Sequence, residues 1–291
     1  MVIMDPWFSS RKTCAYVNIN CANLRQQSPW HEARDDSDIV ALQVASIDEP
    51  SALFSLAISH CSNLKMPSSV RHLVGLTSFD IYNTTIVEWA NSSALDRVAH
   101  PNLRTLGLIR VNTSSVFPVG LVHPLDIADL RLIATDLLDL PLELDALWPN
   151  LKYISLEHGH MREFPPLLAS LPRILRLGVT NNQITSVPDT LPGAYRLLSL
   201  GRNPIRSLPT NMRTTETLSA MQFDHTNVSV VPNWLREVLR ARPQVRVFGH
   251  ETPFCEMAGS AETYGVQCTG PGLRDEGIFP LIEFDELMAV K

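Results

Sequence analysis

Apolar residues recur along this 291-residue chain at fixed slots of a unit of about two dozen residues. In the clearest unit, positions 1, 4, 6, 11 and 14 are apolar and position 15 is proline: Leu151, Ile154, Leu156, Met161, Phe164 and Pro165. The same slots recur in the units that begin at Ile127, Ile174, Tyr195 and Leu218. These five consecutive units therefore match one another over positions 1 to 15 without a gap.

More divergent units flank this block. Units beginning at Leu53, Leu76 and Leu103 keep most slots, and a last degenerate unit places Val245 and Val247 at positions 4 and 6. Unit starts near 53, 76, 103, 127, 151, 174, 195, 218 and 242 are about 21 to 27 residues apart, a spacing typical of solenoid repeats. We predict about eight or nine repeats over residues 53–254, an N-terminal cap over 1–52, and a C-terminal cap and tail over 255–291.

The N-terminal region allows two interpretations. An earlier degenerate repeat fits Cys14, Val17, Ile19, Ala22 and Leu24, with the polar run at 34–38 as an insertion. The alternative places a strand through Ile39, Leu42 and Val44.

Each unit is predicted to contribute one strand, because positions 4 and 6 alternate with polar or small neighbours. Stacking the strands in parallel buries positions 1, 4, 6, 11 and 14 as one continuous core. A polar side chain at position 9 can bond backbone groups of neighbouring turns that would otherwise be buried without partners. The proline at position 15 favours an irregular or short helical return, with 166–171 and 233–240 the predicted helical pieces. The fold class is therefore α/β, a curved solenoid with a parallel sheet on its concave face.

This LxxLxLxxNxLxxLP frame resembles the leucine-rich-repeat family, of the short kind that ends in Leu-Pro, over roughly residues 50–255. More narrowly, residues 81–89, 122–124 and 252–255 are similar to leucine-rich-repeat ectodomains of large membrane-anchored proteins of eukaryotic microbes. The resemblance implies a protein-interaction module that uses its concave face, plausible as a receptor-like recognition domain. The fold alone names no ligand.

Positions 3, 5 and 7 are predicted to point away from the core, toward the concave surface. Aromatic and arginine side chains there have the character of interface anchors, whereas the opposing interpretation is an ordinary solvated sheet face. The residues predicted to bind a protein or glycan ligand on this face are Asp80, Tyr82, Ile109, Arg131, Ile133, Tyr153, Glu157 and Arg176. Among them, Tyr82, Ile109, Ile133 and Tyr153 are predicted to be exposed.

Composition narrows the functional classes. With 45% hydrophobic and 19% charged residues and a net charge of −6, the chain is neither disordered nor a nucleic-acid binder. No apolar run is long enough to span a bilayer, so we expect no membrane insertion by this chain. No signal peptide is evident at residues 1–11, because Asp5 and Pro6 interrupt any apolar stretch. A cytosolic signalling scaffold and an ectodomain with an incomplete N-terminus both remain open.

The cysteines and the glycosylation sequons indicate the cellular compartment in which the protein would fold. In the resemblance, Cys255 and Cys268 match a partial form of the disulfide-bonded C-terminal cap, which needs an oxidising compartment. Cys61 fills position 9 and is expected to be structural, and Cys14 cannot pair with Cys21 if both lie on one strand. Asn-x-Ser/Thr sequons predict glycosylation at Asn83, Asn91, Asn112 and Asn227.

No enzyme motif is present: there is no GxSxG, GxGxxG, GxxxxGK[ST], HExxH or paired CxxC. We therefore expect no enzymatic activity and no cofactor. Glu157, His158 and His160 are expected to fan outward from a turn, so they predict no metal site. His225 occupies the slot of His158 three repeats later, which is about 14 Å away and too far for shared coordination.

Overall fold

The computed structural model describes residues 2–4, 13–27, 35–257, 265–269 and 278–289. The chain divides into two compact units. The first unit comprises Met1–Leu137 and Glu143–Leu151, and the second comprises Leu138–Leu142 and Lys152–Lys291. Both units are built from the same repeat, with one principal strand in each repeat.

The strands follow the predicted spacing. In the first unit they are β1 (Val2–Met4), β2 (Thr13–Asn20), β3 (Ser55–Ser59), β4 (Leu64–Lys65), β5 (Ser78–Glu88), β6 (Thr105–Asn112) and β7 (Asp129–Ile133). In the second unit they are β8 (Tyr153–Glu157), β9 (Arg176–Gly178), β10 (Thr190–Leu191), β11 (Leu197–Ser199), β12 (Asn211–Met212), β13 (Ala220–Gln222), β14 (Arg246–Phe248) and β15 (Val266–Gln267).

The strands pair in parallel with position 4 of one repeat opposite position 4 of the next. In the first unit this row is Val17, Leu56, Phe79, Leu106 and Leu130. In the second unit it is Ile154, Leu177, Leu198, Met221 and Val247. Strand β1 is antiparallel to β2, β4 pairs with β5, and β10 and β12 form a separate parallel pair. The predicted parallel sheet and the register of the repeats from Leu53 to Leu218 are confirmed.

The apolar slots form the core, as predicted. In the repeat that begins at Leu151, positions 1, 4, 6, 11 and 14 are all at most 7% exposed. Every such slot stacks on the equivalent slot of the next repeat, so each unit has an elongated core instead of a central one.

At the N-terminus, the structure decides between the two interpretations. Strand β2 pairs with β3 in the register that the frame from Cys14 implies, with Val17 opposite Leu56. The alternative strand through Ile39, Leu42 and Val44 is wrong, because all three lie in the helix Asp36–Ala45. Asp35 caps this helix by accepting a hydrogen bond from the Asp38 amide at 2.9 Å, which favours a helix start at that point.

A disulfide that the sequence analysis missed joins this region to the repeats. Cys21 begins the helix Cys21–Gln27 and Cys61 occupies position 9 of the next repeat, with their Cα atoms 5.1 Å apart. Beside them the buried Asp36 carboxylate forms an ion pair with Arg25 and accepts a hydrogen bond from the Asn63 amide at 2.8 Å. The pair follows from the register of β2, because that register places the two cysteines on adjacent turns.

The register of the last repeat was predicted wrongly by two residues. Val247 lies opposite Met221 and so occupies position 4, whereas Val245 lies before the strand β14. The preceding return contains the helix Asn233–Ala241. A helix advances only about 1.5 Å per residue, so this return needs more residues than an extended one. The shift moves His250 from position 9 to position 7 and puts the buried Thr252 at position 9.

Each repeat leaves its strand through a left-handed residue at position 8. Positive φ values between 44° and 57° occur at His60, Asn83, Arg110, Ala134, His158, Asn181, Arg202, His225 and Glu251. Side chains other than glycine adopt this conformation at a cost, except asparagine, which tolerates it better. The amide at position 8 donates to the position 7 carbonyl of the next repeat, as from His158 to Thr180 at 3.0 Å and from Asn181 to Gly201 at 3.1 Å.

The buried side chain at position 9 supplies the remaining hydrogen bonds of the turn. Asn203 Nδ2 donates to the carbonyls of Val179, Leu200 and Gly201 at 2.9, 3.1 and 3.0 Å. Its Oδ1 accepts from the Ile184 amide at 3.0 Å. Asn182 makes the same set of bonds one repeat earlier, and Thr226 makes a single bond to the Phe223 carbonyl. The predicted role of position 9 is confirmed.

Short helical returns connect the strands. The α-helices are Cys21–Gln27, Asp36–Ala45, Leu144–Leu147, Asn233–Ala241, Pro253–Met257 and Leu281–Ala289. The 3₁₀ helices are Pro50–Ala52, Ser68–His72, Asn91–Ser93, Val119–Leu121 and Pro166–Ala169. Both predicted helical returns are present, the one after Pro165 as a 3₁₀ helix. Among the described residues, no helix has the length and apolar character needed to cross a membrane.

Replacing Asn203 with alanine should lower the free energy of unfolding by about 3 kcal/mol, because several buried backbone groups lose their only side-chain partner. Urea denaturation monitored by circular dichroism measures this change. Gln183→Ala, at an exposed position of the preceding repeat, is the matched control and should change stability by less than about 0.5 kcal/mol. Equal effects of the two substitutions would show that the position 9 bonds do not stabilise the stack.

Candidate functional site

The concave faces of the two units carry the predicted binding residues, but fewer of them are exposed than expected. Tyr82 is 6% exposed, and Ile109 and Ile133 are fully buried, so the prediction that they are exposed is wrong. The Cδ1 atom of Ile109 lies over Gly107 on the same strand. Because neighbouring strands are only about 4.8 Å apart, large side chains at position 7 pack against one another and become a second buried row.

In the first unit the charged side chains pair among themselves. Arg131 donates from Nη2 and Nε to Asp129 Oδ2 at 2.7 and 3.1 Å. Asp80 accepts a hydrogen bond from Ser78 Oγ at 3.0 Å, and its Oδ1 fills the space above Gly107 on the next strand. Burial raises the pKa of Asp80, and the nearby Arg131 opposes this. Asp80 and Arg131 therefore belong to one polar cluster.

In the second unit three predicted residues, Tyr153, Glu157 and Arg176, lie together on β8 and β9. The guanidinium carbon of Arg176 is 5.0 Å from the centre of the Tyr153 ring, a cation–π distance. Glu157 is completely buried, although position 7 faces away from the core. A segment more than a hundred residues further along the chain contributes to this burial.

The cover is the segment Ile278–Ala289, which we call the C-terminal strap. The amides of Ile278 and Phe279 donate to Glu157 Oε2 at 2.9 and 3.1 Å. The Cδ1 atom of Ile278 reaches Gly178, where an added Cβ would lie 3.0 Å from it. Phe279, Leu281 and Met288 are at most 7% exposed, so the strap is packed and not merely adjacent. The sequence analysis left the role of this tail open.

Burial is the largest influence on the pKa of the Glu157 carboxyl group. It raises the pKa of the carboxyl group from 4.5 to about 7. The two strap amides and the positive charge of Arg176 oppose the shift. A hydrogen bond from the Ser155 side chain also opposes the shift.

Comparisons with known proteins bear on the fold. No protein family described by sequence models matches the chain, and no curated protein matches it significantly. Among solved structures, a leucine-rich-repeat protein of Leptospira interrogans aligns with 73% of this chain at 19% identity and a TM-score of 0.51. The match covers 57% of that protein, so this chain spans little more than half its length.

The chain has the leucine-rich-repeat fold. Two further structures resemble it less closely. The leucine-rich-repeat domain of the type III effector XopL covers 80% of this chain and 89% of its own length, with 16% identity and a TM-score of 0.49. A chain of the Toll–Spatzle complex of Drosophila covers 73% of this chain and 29% of its own length, with 13% identity and a TM-score of 0.49.

Other predicted sites lie at the surface of this leucine-rich-repeat chain. The sequon asparagines Asn83, Asn91, Asn112 and Asn227 are all exposed. Cys255 and Cys268 are paired, with Cα atoms 5.5 Å apart, next to the last strands of the second unit. Glycosylation of the asparagines stays a prediction. His158, which the sequence analysis considered as a metal ligand, is hydrogen-bonded through Nδ1 to Asn181 Nδ2 at 2.9 Å.

The raised pKa of Glu157 predicts a specific pH dependence of stability. Between pH 4.5 and about 7 the folded state binds more protons than the unfolded state. The contribution of Glu157 to the free energy of unfolding must therefore fall as the pH rises through this interval, by on the order of 3 kcal/mol. Glu157→Gln removes the titration and should flatten this part of the profile.

Urea denaturation at several pH values between 4 and 8 measures the difference between the two profiles. Glu163→Gln, which changes an exposed carboxyl group, should leave the profile parallel to that of the unmodified chain. Parallel profiles for Glu157→Gln would show that Glu157 titrates normally and is not buried under the strap.

Proposed function

We propose that this chain is a protein–protein interaction module, and that the concave face of its second unit binds an extended segment of a partner polypeptide. The observation that carries the proposal is the capture of two consecutive strap amides by Glu157 Oε2. Main-chain donors exist in every polypeptide, so a carboxyl oxygen that accepts hydrogen bonds from two consecutive amides is suited to peptide recognition. The strap occupies the face as an intramolecular ligand and indicates what a partner segment resembles.

The contacts of the strap define the partner's chemistry. Two adjacent residues must each offer a main-chain N–H, which excludes proline from both positions. The first carries an aliphatic side chain that fits over Gly178, as Ile278 does. Tyr153 and Arg176 are half-buried beside Glu157 and supply the aromatic and arginine anchors that are typical of interfaces.

The predicted residues of the first unit divide into two groups. Asp80 and Arg131 retain partial exposure, so they stay candidates for contact with a ligand. Tyr82, Ile109 and Ile133 are buried and are better explained as packing. A glycan ligand remains a prediction without a structural observation in its favour.

We further propose a receptor-like role in an oxidising compartment. Two cysteine pairs, Cys21 with Cys61 and Cys255 with Cys268, support this role together with the exposed sequons. The alternative is a leucine-rich-repeat scaffold in intracellular signalling, in which these cysteines would be free thiols.

A synthetic peptide with the sequence of residues 278–289 tests the peptide-binding proposal. The full chain carrying Phe279→Ser and Leu281→Ser should release its own strap and bind the fluorescent peptide with micromolar affinity in an anisotropy titration. The unmodified chain should bind at least about 10-fold more weakly, because its strap competes. N-methylation of Phe279 in the peptide removes one donor to Glu157 and should weaken binding by about 10-fold or more.

Substitutions on the face provide the complementary test. Tyr153→Ala combined with Arg176→Ala in the released chain should abolish peptide binding, whereas Arg173→Ala, exposed in the same repeat, should not. Unchanged binding of the N-methylated peptide, or binding that survives loss of Tyr153 and Arg176, would place the interaction elsewhere.

Peptide mapping under non-reducing conditions tests the compartment. In natively expressed protein we expect Cys21 linked to Cys61, Cys255 linked to Cys268, and a glycan on Asn83. Unmodified asparagines together with free thiols at these four cysteines would favour the intracellular scaffold.

A further inference from the structure

Three side chains with metal-binding atoms converge on the concave side of the second unit, away from the strap contacts at Glu157. Asp224 and His250 occupy position 7 of consecutive repeats, and His225 follows at position 8. Asp224 Oδ2 is 3.6 Å from His250 Nε2 and 3.8 Å from His225 Nε2. One ligand atom from each of the three residues lies within 4.8 Å of the other two.

The repeat geometry produces this cluster. Residues at position 7 of adjacent strands are neighbours at the inter-strand spacing of about 4.8 Å. The chain turns at His225 with a φ of 50°, so its ring stays beside the column, and it meets the His250 ring at 5.0 Å between centroids. The sequence did not predict this cluster, because the register predicted for the last repeat places His250 at position 9, two residues from its observed position 7.

Asp224 is the strongest indication that a cation belongs here. Its side chain is fully buried, and neither carboxylate oxygen has a hydrogen-bond partner among the described residues. A buried carboxylate without partners is unfavourable, and proteins pair such groups or use them to coordinate metals. The oxygen Oδ2 is the atom that faces both histidine nitrogens.

The surroundings orient the ligands. Glu251 Oε2 lies 2.8 Å from His225 Nδ1, so it would hold the proton on Nδ1 and leave Nε2, which faces Asp224, as the nitrogen that binds a metal ion. A carboxylate behind a histidine is the usual outer partner of a metal ligand. On the other side, a Cβ at Gly201 would lie only 2.6 Å from Asp224 Oδ1, so glycine leaves room for the carboxylate.

We propose that Asp224, His225 and His250 form a binding site for a divalent transition metal ion, with Zn²⁺ the best match. Two imidazole nitrogens and one carboxylate oxygen are donors that zinc prefers, whereas Mg²⁺ and Ca²⁺ prefer oxygen ligands throughout. The two nitrogen–oxygen separations, 3.6 and 3.8 Å, need to shorten by only a few tenths of an ångström to match bonds of about 2.0–2.2 Å to one ion, and the two histidine nitrogens lie within 4.8 Å of each other. The histidine side chains are 24% and 14% exposed, so an ion can enter.

Three protein ligands leave at least one coordination position open. Water can occupy that position, as it does in zinc sites with three protein ligands. The site differs from the strap contact in its chemistry, and it does not depend on the proposed peptide-binding function.

The test is a titration of the full, metal-free, non-reduced chain with Co²⁺ and Zn²⁺. We expect saturable 1:1 binding by calorimetry, visible d–d absorption on adding Co²⁺, and loss of that absorption when Zn²⁺ displaces it. His225→Ala and His250→Ala should each weaken binding by about 100-fold or more, and Glu251→Gln by about 10-fold. Asp224→Asn keeps the size of the side chain and should also weaken binding strongly.

Controls separate this site from other metal-binding groups. His160→Ala changes an exposed histidine in another repeat, and Cys14→Ser removes the fifth cysteine of the sequence, so both variants should bind like the unmodified chain. Circular dichroism of each metal-free variant verifies folding. The proposal is wrong if no saturable 1:1 binding occurs, or if binding persists in the folded His225→Ala, His250→Ala double variant.

Discussion

A backbone that turns sharply inside a protein must find partners for the polar groups which the turn exposes. In this chain every repeat from Leu53 onward turns through a left-handed residue at position 8, and glycine occupies none of these positions. The hydrogen bonds that fix the turn come largely from the next repeat and from the buried side chain at position 9. A repeat is therefore complete only when it is stacked on another, because its own residues satisfy only part of the hydrogen bonding of its turn.

This dependence explains the two ends of the array. The antiparallel strand Val2–Met4 and the helices after Asn20 cover the N-terminal side of the first unit, where the pair Cys21–Cys61 ties them to a position 9. Beyond the last full repeat, Val266 continues the position 4 row opposite Val247, and the pair Cys255–Cys268 holds this segment in place. Both ends thus combine an additional strand with a covalent link.

The sequence predicted those features that depend on neighbouring repeats and missed those that depend on distant segments. Positions 4 and 6 could be assigned because burial of one strand face leaves a period-two pattern that is visible locally. The register of the last repeat could not be assigned in this way. The pattern of apolar positions does not indicate how many residues the helix Asn233–Ala241 adds to the preceding return. The burial of Glu157 was not predicted for a similar reason, since its cover lies more than a hundred residues further along the chain.

The direction of a side chain and its accessibility are thus separate questions in a repeat protein. The repeat pattern correctly predicts the direction of the side chains of Tyr153, Arg176 and Glu157, which lie on one face. Their accessibility depends on Ile278 and Phe279, which pack against the same face. The only local signal was the apolar run of the strap within an acidic tail, and its composition does not specify a destination.

Three acidic residues on the concave faces each lie against a glycine of a neighbouring repeat: Asp80 at Gly107, Glu157 at Gly178 and Asp224 at Gly201. Any larger residue at the glycine would occupy the volume that the carboxylate now fills. The two members of each pair therefore constrain each other's substitutions. A larger residue at the glycine is tolerated only after the acidic residue has been replaced by one with a shorter side chain. Divergence of these faces would have to proceed through paired exchanges, which restricts how quickly their recognition chemistry can change.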